Sequence, residues 1–179
     1  MSQYQAEISW QRAANEAFID KRYSRAHQWQ FDGGITLPAS SSPHSVPLPF
    51  SKPENLDPEE AYVAAIASCH MLTFLWKAAN AGYVIDSYHD SAIGYMNKNS
   101  RNRLAITNVT LRPQIAFSKA VSEQDVDRLH HEAHEECYIA NSVETRIDIR
   151  GTWEVRGARS QNPRGQGLVK RWVLASRLA

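Results

Sequence analysis

The chain has 179 residues, 42% hydrophobic and 22% charged, which suits one domain with a sizeable core and excludes a disordered chain. Its net charge of +1 hides an asymmetry: six basic and no acidic residues follow Glu154, leaving 14 basic and 19 acidic groups up to that point, so the body carries no nucleic-acid footprint. No apolar run predicts a membrane span, MSQYQAEISWQRAANEAF lacks the pattern of a signal peptide, and two cysteines fit a reducing cytoplasm, where a disulfide would be transient.

Tyr4 to Trp10 alternates as a half-buried strand, with Ala6, Ile8 and Trp10 on one side. Arg25 to Phe31 predicts a second strand, Asp32-Gly33-Gly34 a turn, and Ile35-Thr36-Leu37 the return of a hairpin. Pro38 to Pro53 is a Pro- and Ser-rich loop. The stretch DPEEAYVAAIASCHMLTFLWKAANAG then predicts one long helix. Asp57 is its cap, Pro58 its first residue, Glu60 the capping-box partner, and Gly82 the left-handed stop. Its apolar residues leave few polar faces, so burial on most sides is expected.

Val84 to Met96 is one strand candidate, with Gly94 as a possible bulge. Leu104 to Phe117 is the next, interrupted at Arg112-Pro113, where proline suggests an edge or a bulge. Ser122 caps a second helix that places Val126, Leu129, Ala133 and Cys137 on one inward face and closes at Asn141-Ser142. Val143 to Val155 alternates as a last strand. Residues 1–156 thus form one α+β domain. Residues 157–179 form a basic tail, either frayed or a short helix.

The chemistry centres on the two cysteines, Cys69 in the long helix and Cys137 at the end of the second. A reactive cysteine must ionise, so it needs a cation or donors nearby, because burial alone opposes the thiolate. Cys69 lies mid-helix, where the dipole helps little. Arg22 and Arg25 are the candidate cations, since arginine stays charged when desolvated. Glu59, about 15 Å up the helix from Cys69 by the rise per residue, could tether such an arginine but not reach the thiol.

DPEEAYVAAIASCHMLTFL resembles the central cysteine helix of the OsmC/Ohr family of thiol peroxidases, and HHEAHEECYIANSV resembles its second cysteine helix. YSRAHQWQFDGG with SCHMLTFL resembles an OsmC-like branch more than a typical Ohr protein. The resemblance implies an OsmC-like fold: antiparallel sheets wrapped around two long central helices in an intertwined homodimer. It also implies reduction of peroxides, organic ones first and hydrogen peroxide besides, in oxidative or osmotic stress. By motif, Cys69 is the peroxidatic thiolate and Cys137 the resolving thiol. Glu59 is the glutamate of the family's N-P-E motif, with Asp57 in place of the asparagine. Arg25 is placed as the family's arginine. The implied cycle passes through a Cys69 sulfenic acid and a Cys69–Cys137 disulfide, which an external dithiol, in family precedent a lipoyl protein, reduces. It needs no cofactor: no metal, haem or flavin.

Two other readings compete. His130, His134 and Cys137 at i, i+4 and i+7, with Cys69 as a fourth ligand and His70 and His131 nearby, form a zinc set by residue type. Alternatively, the same fold could hold a small ligand in an apolar groove without turnover. Trp10, Trp29 and Trp76 are expected in the core or a dimer interface, and His27 as a strand residue.

Overall fold

A computed structural model describes residues 1–155 and 170–175. Its contacts fall into two compact units, Met1–Tyr62 and Val63–Ala179.

The first unit holds an antiparallel sheet of three strands, β1 (Ala6–Ser9), β2 (His27–Phe31) and β3 (Thr36–Ala39), in the order β1-β2-β3. The β2–β3 hairpin turns where Gly34 takes φ +85, a left-handed conformation that glycine adopts without a Cβ clash. Between β1 and β2, Trp10, Phe18 and Tyr23 cluster, with Phe18 and Tyr23 stacked at 4.6 Å.

The long helix, α1, runs over Pro58–Asn80. The capping box forms in both directions: Glu60 N–H donates to Asp57 Oδ1 at 2.8 Å, and Asp57 N–H to Glu60 Oε2 at 3.2 Å. Gly82, at φ +79, ends it. Gly82 N–H donates to the Ala79 carbonyl and Tyr83 N–H to the Ala78 carbonyl, the paired bonds of a left-handed helix stop.

The expectation that α1 is buried on most sides does not hold for this chain. Its buried residues are Ile66, His70, Phe74 and Ala78, a single row four residues apart. Leu72 and Trp76 are 60% and 56% exposed. By length and composition α1 would qualify as a membrane span, contrary to the sequence reading, yet its capped start and its bonds to the second helix tie it into the folded chain.

The second unit is built on β4 (Ile85–Asp90), β5 (Ile93–Lys98), β6 (Leu104–Leu111), β7 (Pro113–Phe117), β8 (Arg146–Val155) and β9 (Lys170–Ala175). β4 and β5 pair antiparallel with β7 and β6, and from Ser87 to Tyr95 they keep one register across the gap at Ser91-Ala92 and Arg112; it shifts by one residue between Ile85 and Ser87 and again between Tyr95 and Met96. β6 and β7 in turn both pair parallel with β8 at the same offset of 38 residues. The six pieces therefore behave as four long strands with kinks, and a kinked hairpin curls the sheet. The sheet is mixed rather than antiparallel throughout. Pro113 is neither on an edge nor at a bulge: it starts β7 between β4 and β8, and a first position tolerates the missing N–H. Gly94 is required by packing, since a Cβ there would lie 2.6 Å from Val63 Cγ2.

The second helix, α2, spans Glu123–Glu136 and forms the crossover from β7 to β8. Ser122 Oγ accepts from Asp125 N–H at 3.0 Å. Val126, Leu129 and Ala133 are fully buried, as their spacing predicts. The helix ends at Glu136, earlier than Asn141-Ser142, which instead forms part of a short 3-10 turn, Ala140–Ser142. β9 lies antiparallel to β8, so residues 170–175 are a strand and not a short helix or frayed tail. The remainder of that tail lies outside the described residues.

Candidate active site

α1 and α2 bring the two cysteines together. The Cys137 thiol donates to Cys69 Sγ at 2.8 Å, across 68 residues of sequence, and both are free thiols. Cys69 projects half-buried from mid-α1, and its carbonyl accepts from Thr73 Oγ1 at 2.9 Å. Cys137 occupies the C-cap of α2, where the backbone turns extended at φ −71, ψ 113. That turn sends the next amides back toward the sulfurs: Ile139 N–H donates to Cys69 Sγ at 3.5 Å and Ala140 N–H to Cys137 Sγ at 3.4 Å.

The two sulfurs are not equivalent. Cys137 is 1% exposed. Burial, and then the bond to the Cys69 sulfur, pushes its thiol up to about 11, so at neutral pH it keeps its proton and donates it. Cys69 is the more accessible sulfur and receives two donors, one S–H and one backbone N–H, against a single backbone N–H at Cys137. Such donors favour negative charge on sulfur. The arrangement holds the Cys69 sulfur beside a protonated partner thiol, within less than 1 Å of disulfide length, about 2.05 Å.

The charged residues expected at the site lie in the first unit. Arg25 donates through Nη1 to the carbonyls of Lys21 and Tyr23 and stacks on the Tyr23 ring, 3.6 Å from its centroid. Both bonds use Nη1, so Nε and Nη2 remain for an acceptor. Arg25 also lines a cavity of about 390 Å³ with Ile8, Trp10, Phe18, Tyr23 and His27. Glu59 is half-buried in the first turn of α1, and among the described residues no ion pair joins it to Arg25, so the expected tether is not formed. Arg22 lies over the Phe50 ring at 5.9 Å. His27 is a strand residue, with Nδ1 2.8 Å from the Arg25 carbonyl and Nε2 accepting from Trp29 Nε1–H at 2.9 Å.

The zinc set does not assemble. Among the described residues no three His, Cys, Asp or Glu side chains are grouped to hold a metal ion. The reason is that His130 is committed elsewhere: its Nδ1 meets His70 Nε2 at 2.9 Å in the core. That imidazole pair and the two backbone donors, Ile139 and Ala140, are features the sequence reading missed. Backbone donors have no side-chain signature, and the histidines are 60 residues apart.

The family described as OsmC-like protein matches residues 51–151. No curated protein matches the sequence. Among solved structures, an OsmC-like protein of unknown function from Vibrio cholerae is 50% identical, covering 87% of this chain and 99% of its own, with a TM-score of 0.79. An organic hydroperoxide resistance protein from Elizabethkingia anophelis has the same fold at 13% identity, covering 83% and 93%, with a TM-score of 0.62. An organic hydroperoxide resistance protein OsmC from Legionella pneumophila is 14% identical, covers 87% and 97%, and has a TM-score of 0.61. With more than half its length matched by the family and 50% identity to an OsmC-like protein over 87% of its length, the chain belongs to the OsmC-like family.

Proposed function

We propose that this protein is a thiol-dependent peroxidase that reduces hydroperoxides. The observation that carries the reading is the Cys137 S–H directed at Cys69 Sγ at 2.8 Å, between two free thiols of unequal accessibility. Cys69 thiolate attacks one peroxide oxygen, the O–O bond breaks, and the departing alkoxide takes up a proton as alcohol. Cys69 is left as a sulfenic acid. Cys137 then attacks that sulfur. Its proton leaves with the sulfenic hydroxyl as water, and the Cys69–Cys137 disulfide forms. An external dithiol returns two electrons by exchange.

The inequality of the thiols supports this order. Cys137, held near 11, is a poor first nucleophile at neutral pH but is placed to resolve. Arg25 and Glu59 enter by family motif: Arg25 to stabilise the thiolate and the departing oxygen, and Glu59 to steady a guanidinium during the cycle. The working unit is a homodimer, and the exposed apolar side of α1 supports a second copy as its cover. The reductant is a dithiol, with a lipoyl protein as the family precedent. The domain concerned is residues 1–156, in a reducing cytoplasm.

A peroxide assay with dithiol reductant tests this. Cys69→Ser is expected to abolish turnover, and Cys137→Ser to stop at a sulfenic acid that a dimedone label captures. Arg25→Ala should lower kcat/KM by about a hundredfold, the usual effect of removing one charge-stabilising donor. Turnover by Cys69→Ser at the parent rate would end the reading. A parent that binds hydroperoxides without reducing them would favour the ligand-binding alternative.

A further inference from the structure

Behind the thiol pair lies a second contact between the same two helices. His70, the residue after Cys69, is 2% exposed, and His130, two turns before Cys137, is fully buried. Their Nε2 and Nδ1 atoms are 2.9 Å apart, and the rings are nearly coplanar, with an interplanar angle of 6°. The His130 ring also packs on Phe74 at 4.2 Å.

We propose that the His70–His130 pair positions the thiols, fixing the register of α1 against α2 so that Cys137 Sγ stays within bonding reach of Cys69 Sγ. The proposal deepens the peroxidase reading by naming what makes the resolving step fast, but its geometry stands without that reading.

Two buried imidazoles are an expensive way to fill space. Leucine would occupy nearly the same volume with no polar group to desolvate. What an apolar pair lacks is direction: apolar contacts tolerate sliding, whereas a single hydrogen bond in a dry core is tightly constrained in length and angle. Burial depresses both imidazoles, His70 to about 3 and His130 well below its ordinary value. Both are therefore neutral at physiological pH, one nitrogen donating and the other accepting, and the bond persists. His134, on α2 and close enough to act on His70, is itself pushed down by partial burial.

The tolerance at the thiols is small. Closing the disulfide moves the sulfurs from 2.8 Å to about 2.05 Å. A slip of α1 by one residue is about 1.5 Å, and misplacement of about 1 Å can slow a reaction a hundredfold. Lys77 Nζ also ties α1 to α2, at Glu136 Oε1 (2.5 Å) and Glu132 Oε2 (4.0 Å), but both carboxylates are more than a third exposed, so solvent can loosen these pairs.

The test measures thiol proximity without peroxide. Full-length protein is equilibrated in glutathione buffers. Glutathione disulfide forms a mixed disulfide with Cys69 and releases one glutathione; Cys137 then displaces the second, and both protein protons pass to glutathione. The equilibrium gives the effective concentration of one thiol at the other. His70→Leu/His130→Phe, which keeps both sites filled with apolar side chains and removes the bond, is expected to lower that concentration at least tenfold. His70→Gln, which keeps an N–H for His130 Nδ1, should restore it to within about threefold. Parent-like effective concentration in the double variant would overturn the proposal. So would a loss in His70→Gln as deep as in His70→Leu, the single-variant comparison that decides the matter if the double variant does not fold. Should the parent fail to reduce hydroperoxide, the peroxidase reading falls while this equilibrium remains readable.

Discussion

The two helices that carry the cysteines use their apolar residues in opposite ways. α2 is polar overall, yet every apolar residue of its inward face is buried: Val126, Leu129 and Ala133, with Cys137 at its end. α1 is far more apolar, yet buries only one row, Ile66, His70, Phe74 and Ala78, and leaves Leu72 and Trp76 open. Hydrophobicity and burial are therefore different quantities. α2 is fully partnered within its own chain, whereas α1 carries more apolar surface than that chain covers. Where the helices meet, the seam includes polar groups, so its strength should depend on pH as an apolar seam would not.

That dependence is the largest effect expected. Burial holds both seam histidines below the ordinary 6.5, with His70 at about 3. Below pH 6.5 the unfolded chain takes up protons that the folded chain refuses, so stability falls as pH falls. The slope approaches about 1.4 kcal/mol per pH unit for each imidazole and ends near the folded values. Above 6.5 the pair contributes no slope. His134 on α2 is shifted the same way, and the raised Asp90 and Asp127 act in the opposite sense. Urea unfolding at pH 7.5 and 5 should show the loss in the parent and a shallower one in His70→Leu/His130→Phe. Equal slopes would mean that the seam is not the neutral pair its burial implies.

Next in size is a direct contrast between the helices. Leu129→Ala empties a fully buried site on α2 and should cost about 2–5 kcal/mol at any protein concentration. Leu72→Asp touches the open side of α1 and should change unfolding of the isolated chain by no more than about 0.5 kcal/mol. Its effect should appear instead as loss of self-association in sedimentation and loss of the concentration dependence of the unfolding midpoint. A Leu72→Asp protein that sediments like the parent would show that a second copy does not cover this face.

The same contrast explains what the sequence made legible. The inward face of α2 could be read because polar residues outline it at a helical period. α1 has no such outline, and an unbroken apolar run says nothing about which side is covered or by what. Its ends were readable, because Asp57, Glu60 and Gly82 act on their own backbone neighbours. In the sheet, the stretch from Val84 to Met96 reads as one strand because β4 and β5 share one register from Ser87 to Tyr95; the kink at Ser91-Ala92 leaves the alternation there intact. β9 was not legible, since a short basic stretch becomes a strand only because β8 offers a free edge. At the site, the two thiols were visible as residue types, but the donors from Ile139 and Ala140 are backbone groups fixed by the turn after α2.

The smallest effect sharpens the comparison at the helix starts. Both helices are capped, but differently. At α1 the cap is reciprocal: Asp57 accepts from Glu60 N–H, and Glu60 accepts from Asp57 N–H, with Asp57 itself buried. At α2, Ser122 accepts from Asp125 N–H but gives its hydroxyl proton to the Asp125 carboxylate at 2.6 Å, at an exposed position. Removing either cap frees N–H groups at a helix start, which costs about 0.5–2 kcal/mol. Asp57→Ala frees the Glu60 N–H and empties a buried side-chain site, while the backbone N–H at 57 still donates to Glu60, so its cost belongs in the upper half of that range. Ser122→Ala exposes donors that water can serve, so its cost belongs in the lower half. Equal losses in parallel chemical unfolding would mean that reciprocity and burial add nothing at α1, and that the two helices differ only in the surface they leave open.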